Sequence, residues 1–181
     1  MLRQTIFLAA SSLGLAYGAV ALAAASTPAK PATLATGTFA TSAGGAASTA
    51  SVVTPAGGNP VLRVKVSGLP AGVHGIHIHT VGKCEGPAFT TAGGHLNPSG
   101  HQHGKDNPAG SHLGDLPNIT IDGHGNGELA QTLGVDAATL RAQIGDADGA
   151  AVVVHADPDD YRTDPSGNSG ARIACAVLKL S

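Results

Sequence analysis

The sequence predicts an all-β domain of eight short antiparallel strands, folded as a sandwich or barrel with long loops. Three features point that way. Gly and Pro are abundant, 26 and 11 of 181 residues, and punctuate the chain too often for long helices. Apolar residues alternate with polar ones or come in short β-branched runs, the pattern of pleated strands rather than of a helical face. With three Phe, two Tyr and no Trp, the core must be built mainly from Val, Ile, Leu and Ala. The length suits one domain with a real core and is too short for two ordinary ones.

Alternation or β-branched enrichment places strands at 36–41, 48–54, 61–67, 73–81, 118–121, 127–131, 150–155 and 171–178. Residues 135–144 have helical propensity, but ten residues hemmed by Gly and Asp turns make at most a short helix. There is no internal repeat. The stretch 82–117 is too long for a hairpin connection, and such stretches are usually functional or disordered.

The N-terminus reads as a signal peptide at residues 1–25. Arg3 precedes an apolar run, 6–24, that ends in small residues at Ala21, Ala23 and Ala25. An uncleaved anchor helix is the alternative, since the run is nearly long enough to span a membrane. Ser11, Ser12, Gly14 and Gly18 dilute it, and no second span follows, which favours cleavage. After cleavage no membrane contact is expected, and no cysteine follows to carry a lipid anchor. Residues 26–35 read as a Pro-containing linker, and 36–181 as the folded domain. Export places the protein in a periplasmic or extracellular setting, where the two cysteines, Cys84 and Cys175, are able to pair. The other reading is two buried free thiols. A formal net charge of -2 gives no sign of a nucleic-acid partner.

The chemistry lies in the histidines. His77, His79, His95, His101, His103 and His112 are followed by Asp115, and His155 closes a later apolar run, Ala151-Val152-Val153-Val154. Neutral imidazole is the commonest ligand for copper and zinc, and these residues suffice for two metal ions. His77 and His79 are two apart in a strand, so both leave one face while Ile76 and Ile78 enter the core. His95, His103, His112 and Asp115 offer three imidazoles and a carboxylate, a closed set suited to structural zinc. Copper prefers a tetragonal field of nitrogens. Spacing alone does not say which ligand serves which ion, nor whether one is shared.

Six segments together resemble the copper/zinc superoxide dismutase family. Gly75-Ile76-His77-Ile78-His79 is similar to its paired copper-ligand strand, and Gly94-His95-Leu96-Asn97-Pro98 to the segment of its bridging histidine. His103-Gly104 and His112-Leu113-Gly114-Asp115 fall at the spacings of its zinc ligands. Val154-His155 with Pro158-Asp159-Asp160, and Gly167-Asn168-Ser169-Gly170-Ala171-Arg172-Ile173-Ala174-Cys175, resemble its last copper ligand and its closing motif. The resemblance runs from about residue 36 to the C-terminus. It differs from the common eukaryotic form in a longer interval between Cys84 and His95 and a shorter 160–170 loop, as in the bacterial secreted branch. The eukaryotic dimer interface is therefore not carried over, although a homodimer remains open.

The resemblance implies a Greek-key β-sandwich or barrel with one copper on His77, His79, His95 and His155, and one zinc on His95, His103, His112 and Asp115. His95 would bridge the two as an imidazolate and take part in catalysis. Asp159 would hold one histidine of each metal, Arg172 would guide the anion, and a Cys84 to Cys175 disulfide would staple the loop near Arg172. His74 would be a structural histidine bonded to backbone. His101 is the runner-up for zinc, and His124, Asp157, Asp160 and Asp164 read as solvated. The implied activity converts two superoxide anions and two protons to dioxygen and hydrogen peroxide. Metal-carrying relatives without activity typically lack a copper ligand or the arginine, and a purely structural zinc sandwich needs no four-imidazole set. All of these residues are present here.

Overall fold

The computed structural model describes residues 30–44 and 48–181. The expected signal segment 1–25 and the start of the linker lie outside them. Nine strands run in chain order: β1 Ala32–Thr41, β2 Thr49–Thr54, β3 Val61–Val66, β4 Gly72–His74, β5 Ile76–His79, β6 Ile119–Ile121, β7 Gly127–Thr132, β8 Ala150–His155 and β9 Arg172–Leu180. One helix, α1 Ala137–Ile144, precedes β8. All eight expected strands form. The first begins earlier, at Ala32, and the fourth is divided at Gly75.

That division brings the sheet nearly to closure as a barrel. The strand order is β4-β6-β7-β3-β2-β1-β9-β8-β5, with every pairing antiparallel. The two ends of the order, β4 and β5, are consecutive in sequence and separated only by Gly75. The chain turns a corner there, leaving one edge to pair with β6 and joining the other edge to pair with β8. Gly75 donates its N–H to Asp157 O at 2.8 Å and accepts from His155 N–H at 2.8 Å. A Cβ at this position would stand 2.8 Å from that of Ser169, so the corner requires glycine.

One core fills the barrel. Alternate residues point inward, among them Ala50 and Val52 of β2, Leu62, Val64 and Val66 of β3, and Val152 and Val154 of β8. Helix α1 closes one end with Leu140 and Ile144, and Asp136 caps it by accepting from the N–H groups of Ala138 and Thr139 at 2.9 Å each. Strand β8 is buried on both faces. Its outer residues, Ala151 and Val153, pack under Phe89 and Ala92 of the long loop, together with Cys175 and Cys84. That second small core anchors the loop from which the site is built.

Candidate metal centre

Strand β5 is an edge strand, and the long loop covers that edge with its own backbone. Ile78 donates to Gly114 O at 2.9 Å and accepts from Leu96 N–H at 2.8 Å, while Thr80 donates to Gly94 O at 2.9 Å. The pairing sets His77 opposite Asp115 and His79 opposite His95. Gly114 has to be glycine here, because a Cβ would reach 2.2 Å from Ile78 O. His155 joins them from the end of β8, which pairs with β5 in register His77 to Val153.

The structure brings all the expected ligands together, with the histidines buried and Asp115 partly buried. His77 and His103 have no exposed surface, and His79, His95, His112 and His155 are buried as well. Hydrogen bonding fixes which nitrogen of each ring is free. Away from the shared oxygen of Asp115, a carboxylate or carbonyl oxygen can only accept, so the ring nitrogen facing it carries the proton. His77 Nε2 donates to Asp159 Oδ2 at 2.9 Å, leaving Nδ1 as a lone pair. His79 Nδ1 donates to Gly93 O at 2.9 Å, leaving Nε2. His95 Nδ1 faces Asp115 Oδ1 at 2.9 Å, again leaving Nε2. His77 Nδ1 and His95 Nε2 are buried without any partner, and His79 Nε2 lies 3.4 Å from His155 Nε2.

Uncompensated buried acceptors of this kind are costly unless something electrophilic binds them. Burial holds the four rings neutral, the form that coordinates metal. It lowers the pKa of His77, and takes His79 to about 2 with help from His95, His155 to about 3 with help from His77, and His95 to about 4 against its bond to Asp115. One group of ligand atoms, all within 4.8 Å of one another, comes from His77, His79, His95 and His155. It is a purely nitrogen field, as copper prefers.

The second group centres on Asp115 Oδ1. It lies 2.9 Å from His95 Nδ1, 3.0 Å from His103 Nδ1 and 3.1 Å from His112 Nδ1, and the His112 and His95 Nδ1 atoms are 3.4 Å apart. Ligand atoms of a tetrahedral zinc stand about 3.3 Å from one another, close to these separations of His95, His103 and His112 about Asp115, while the ligand atoms that lie within 4.8 Å of one another on this side are those of His77, His95, His103 and Asp115. The other Asp115 oxygen is held by the N–H groups of Gly104 at 2.9 Å and His112 at 3.0 Å. Burial opposes ionisation of Asp115, but its hydrogen bonds to His103 and His95 win and hold it far below the usual carboxylate range. Burial likewise opposes protonation of His103, yet bonds to Asp115 and Asp159 raise it to about 9. His95 is the ring with one nitrogen aimed at each group.

Around these sets, Asp159 Oδ1 accepts from His103 Nε2 at 2.9 Å while Oδ2 serves His77. Arg172 lines the same cleft of about 370 Å³ as His79, His95 and His155. Its guanidinium donates to Phe89 O at 2.7 Å and Gly93 O at 2.6 Å. Cys84 and Cys175 form a disulfide with Cα atoms 5.6 Å apart, tying that loop to β9. Among the residues set aside, His74 is bonded to the backbone oxygens of His155 and Pro70, at 2.8 and 3.0 Å. His101 is exposed, with Nδ1 against Ser111 O at 3.1 Å, and His124 is exposed in its turn.

Two supporting residues escaped the sequence reading. Asn118 brackets Asp159 by donating Nδ2 to its O at 3.0 Å and accepting its N–H at 2.9 Å. Asp164 is exposed, as expected, but also accepts the N–H of His103 at 2.6 Å. Neither has a local signal, because each partner lies on a segment far along the chain.

A sequence model of the copper/zinc superoxide dismutase (SODC) family matches residues 46–178. Superoxide dismutase [Cu-Zn] 2 of Aquifex aeolicus is 41% identical over 123 residues, 66% of this chain and 71% of its own. Superoxide dismutase [Cu-Zn] of Caulobacter vibrioides is 41% identical over 131 residues, covering 70% of this chain and 75% of its own. The crystal structure of a SOD-like protein from Bacillus subtilis superposes with a TM-score of 0.72 at 33% identity, over 82% of this chain and all of that one. The segments that place the histidines on β5 and β8, and the loop that covers them, lie within the matched region. The chain belongs to the copper/zinc superoxide dismutase family.

Proposed function

We propose that the protein is an exported copper/zinc superoxide dismutase. In this reading copper would be held by His77 Nδ1 and by the Nε2 atoms of His79, His95 and His155, and zinc by the Nδ1 atoms of His95, His103 and His112 with Asp115 Oδ1. The observation that carries it is the pair of buried, unpartnered nitrogens, His77 Nδ1 and His95 Nε2. Both face the same group of imidazoles.

The overall reaction takes two superoxide anions and two protons to dioxygen and hydrogen peroxide, and bound copper supplies the one-electron exchange between the two anions. The chain supplies the rest. Asp159, fixed by Asn118, holds His77 and His103 in one tautomer. His95 Nε2, at the wall of the cleft, is the atom on which a proton can be held between the two halves of the reaction. Arg172, tethered to Phe89 O and Gly93 O, sets a fixed positive charge in the cleft, where it orients and attracts a small anion. The disulfide and the small core around Phe89 keep that tether in place.

The N-terminal segment 1–25 is read as a removable export signal and the residues from 26 up to the start of β1 at Ala32 as a linker, shorter than the expected 26–35 because residues 32–35 pair into the sheet. The disulfide supports an oxidising location such as the periplasm. Among the described residues no helix is long and apolar enough to cross a membrane. Purified mature protein should hold about one copper and one zinc per chain and consume superoxide catalytically. Protein that holds both metals but leaves superoxide decay at its spontaneous rate would refute the enzymatic reading and leave a metal carrier.

A further inference from the structure

We propose that Asp164 is a positioning residue of the zinc side, acting on His112 through the ring nitrogen that does not face the metal. The inference rests on the ligand assignment proposed above. When His112 uses Nδ1 as its ligand atom, the neutral ring must carry its proton on Nε2. Metal-bound imidazoles almost always donate that second N–H to a carboxylate, carbonyl or water, which fixes the tautomer and strengthens the ligand. His103 has such a partner in Asp159 Oδ1 at 2.9 Å. For His112 the facing group is Asp164, with Oδ1 3.9 Å from Nε2. A shift of about 1 Å brings that pair to hydrogen-bond distance.

Asp164 is not a free surface acid. The same Oδ1 accepts the backbone N–H of His103 at 2.6 Å, so one atom touches a zinc-side residue through its main chain and faces another through its ring. The loop that presents it is tightly built. Asp160 Oδ1 accepts from the N–H groups of Arg162 and Thr163 at 2.9 and 2.8 Å, and its Oδ2 from Thr163 Oγ1 at 2.6 Å and Asn168 Nδ2 at 3.0 Å. Across the gap, Asp106 donates its N–H to Tyr161 O at 3.1 Å. Gly104 lies so close to Tyr161 O that a Cβ would stand 2.1 Å from it. Two carboxylates of one loop, Asp159 and Asp164, thus address the far nitrogens of two zinc-side histidines. The half-exposed side chain of Asp164 makes it the outer of the two.

The test measures zinc affinity by chelator competition on copper-loaded protein, for the parent, Asp164→Asn, Asp164→Ala, His112→Ala and the double variant Asp164→Asn/His112→Ala. Asn keeps an oxygen for the His103 N–H but loses the charge that a His112 N–H prefers. Zinc binding should weaken roughly 10-fold or more in both Asp164 variants, with copper binding unchanged. In the His112→Ala background the Asn effect should fall below about twofold, as expected when the partner is gone. A slowly exchanging His112 Nε2–H signal in the zinc-loaded parent should broaden or vanish in Asp164→Asn. Parental zinc affinity in Asp164→Asn, or an undiminished effect in the double variant, would show that Asp164 only caps the loop and overturn the proposal. Parental zinc affinity in His112→Ala itself would instead overturn the ligand assignment.

Discussion

His77 donates its Nε2 proton to Asp159 at 2.9 Å across 82 positions of sequence, and both side chains are almost completely buried. The bond leaves His77 Nδ1 as the free lone pair. The second oxygen of the same carboxylate does the equivalent for His103, so Asp159 couples the orientation of two histidines proposed as ligands on different sides of the centre.

Asp159→Ala should therefore weaken both metal sites, each by roughly 10- to 100-fold. Competition titrations with copper and zinc chelators measure this directly. Loss of zinc with undiminished copper affinity would mean that His77 is oriented by packing alone.

On the zinc side, His112→Ala and Asp115→Ala should lower zinc occupancy and the melting temperature, because metal binding supplies ordering energy to the long loop. Asp115 is the more sensitive position, since its Oδ1 meets three imidazoles. His101→Ala should leave both quantities near the parent, its ring being exposed and turned to Ser111 O. Zinc loss confined to His101→Ala would reverse the assignment.

The metal-free protein should be most stable near pH 6.5. His77, His79, His95 and His155 titrate at 6.5 when unfolded and are pushed down when folded, with His79 at about 2, His155 at about 3 and His95 at about 4. Their contribution is fully present above 6.5 and is lost as the pH falls toward those values. His103 is raised to about 9, so its contribution is full below 6.5 and is lost as the pH rises through 9. The acid limb should be the steeper, since four groups act there and one on the other side. Melting curves of chelator-stripped protein at about pH 5, 6.5 and 9 decide it, and an equal melting temperature at the two lower values would count against the buried neutral rings.

Arg172→Glu should lower the second-order rate with superoxide by about one to two orders of magnitude at low salt, within the range of electrostatic steering, with both metals retained. Arg172→Ala should fall between. The protein as a whole does not attract an anion, having 10 basic against 12 acidic residues, so the attraction must be local. The parental rate should fall with added salt as the Debye length shrinks to about 3 Å at 1 M, and this dependence should flatten in the Ala variant. Pulse-radiolysis rates at several ionic strengths provide the measurement, and a wild-type rate in metal-replete Arg172→Glu would remove the steering role.

Much of this was legible in one dimension, because period-two alternation and Gly/Pro punctuation report the local pleat directly. The eight strands followed from them, and so did the paired placement of His77 and His79, since residues two apart on a strand share a face; the short helix followed from propensity, its Asp136 cap only from the structure. The six matching segments carried the family and pointed to the histidines that the fold gathers. What the sequence left open was which atom faces which partner. The division of the fourth strand at Gly75 comes from the near-closure of the barrel, a property of the whole sheet order. The free Nδ1 of His77 and free Nε2 of His95 depend on Asp159 and Asp115, whose distances to those rings are set by β8, β5 and the covering loop together. Asp164 looked like any loop acid until the fold laid residues 160–170 against His103 and His112. Local pattern determines what a segment becomes, but tautomers, buried charges and outer partners are set by contacts between segments that only the nearly closed barrel brings together.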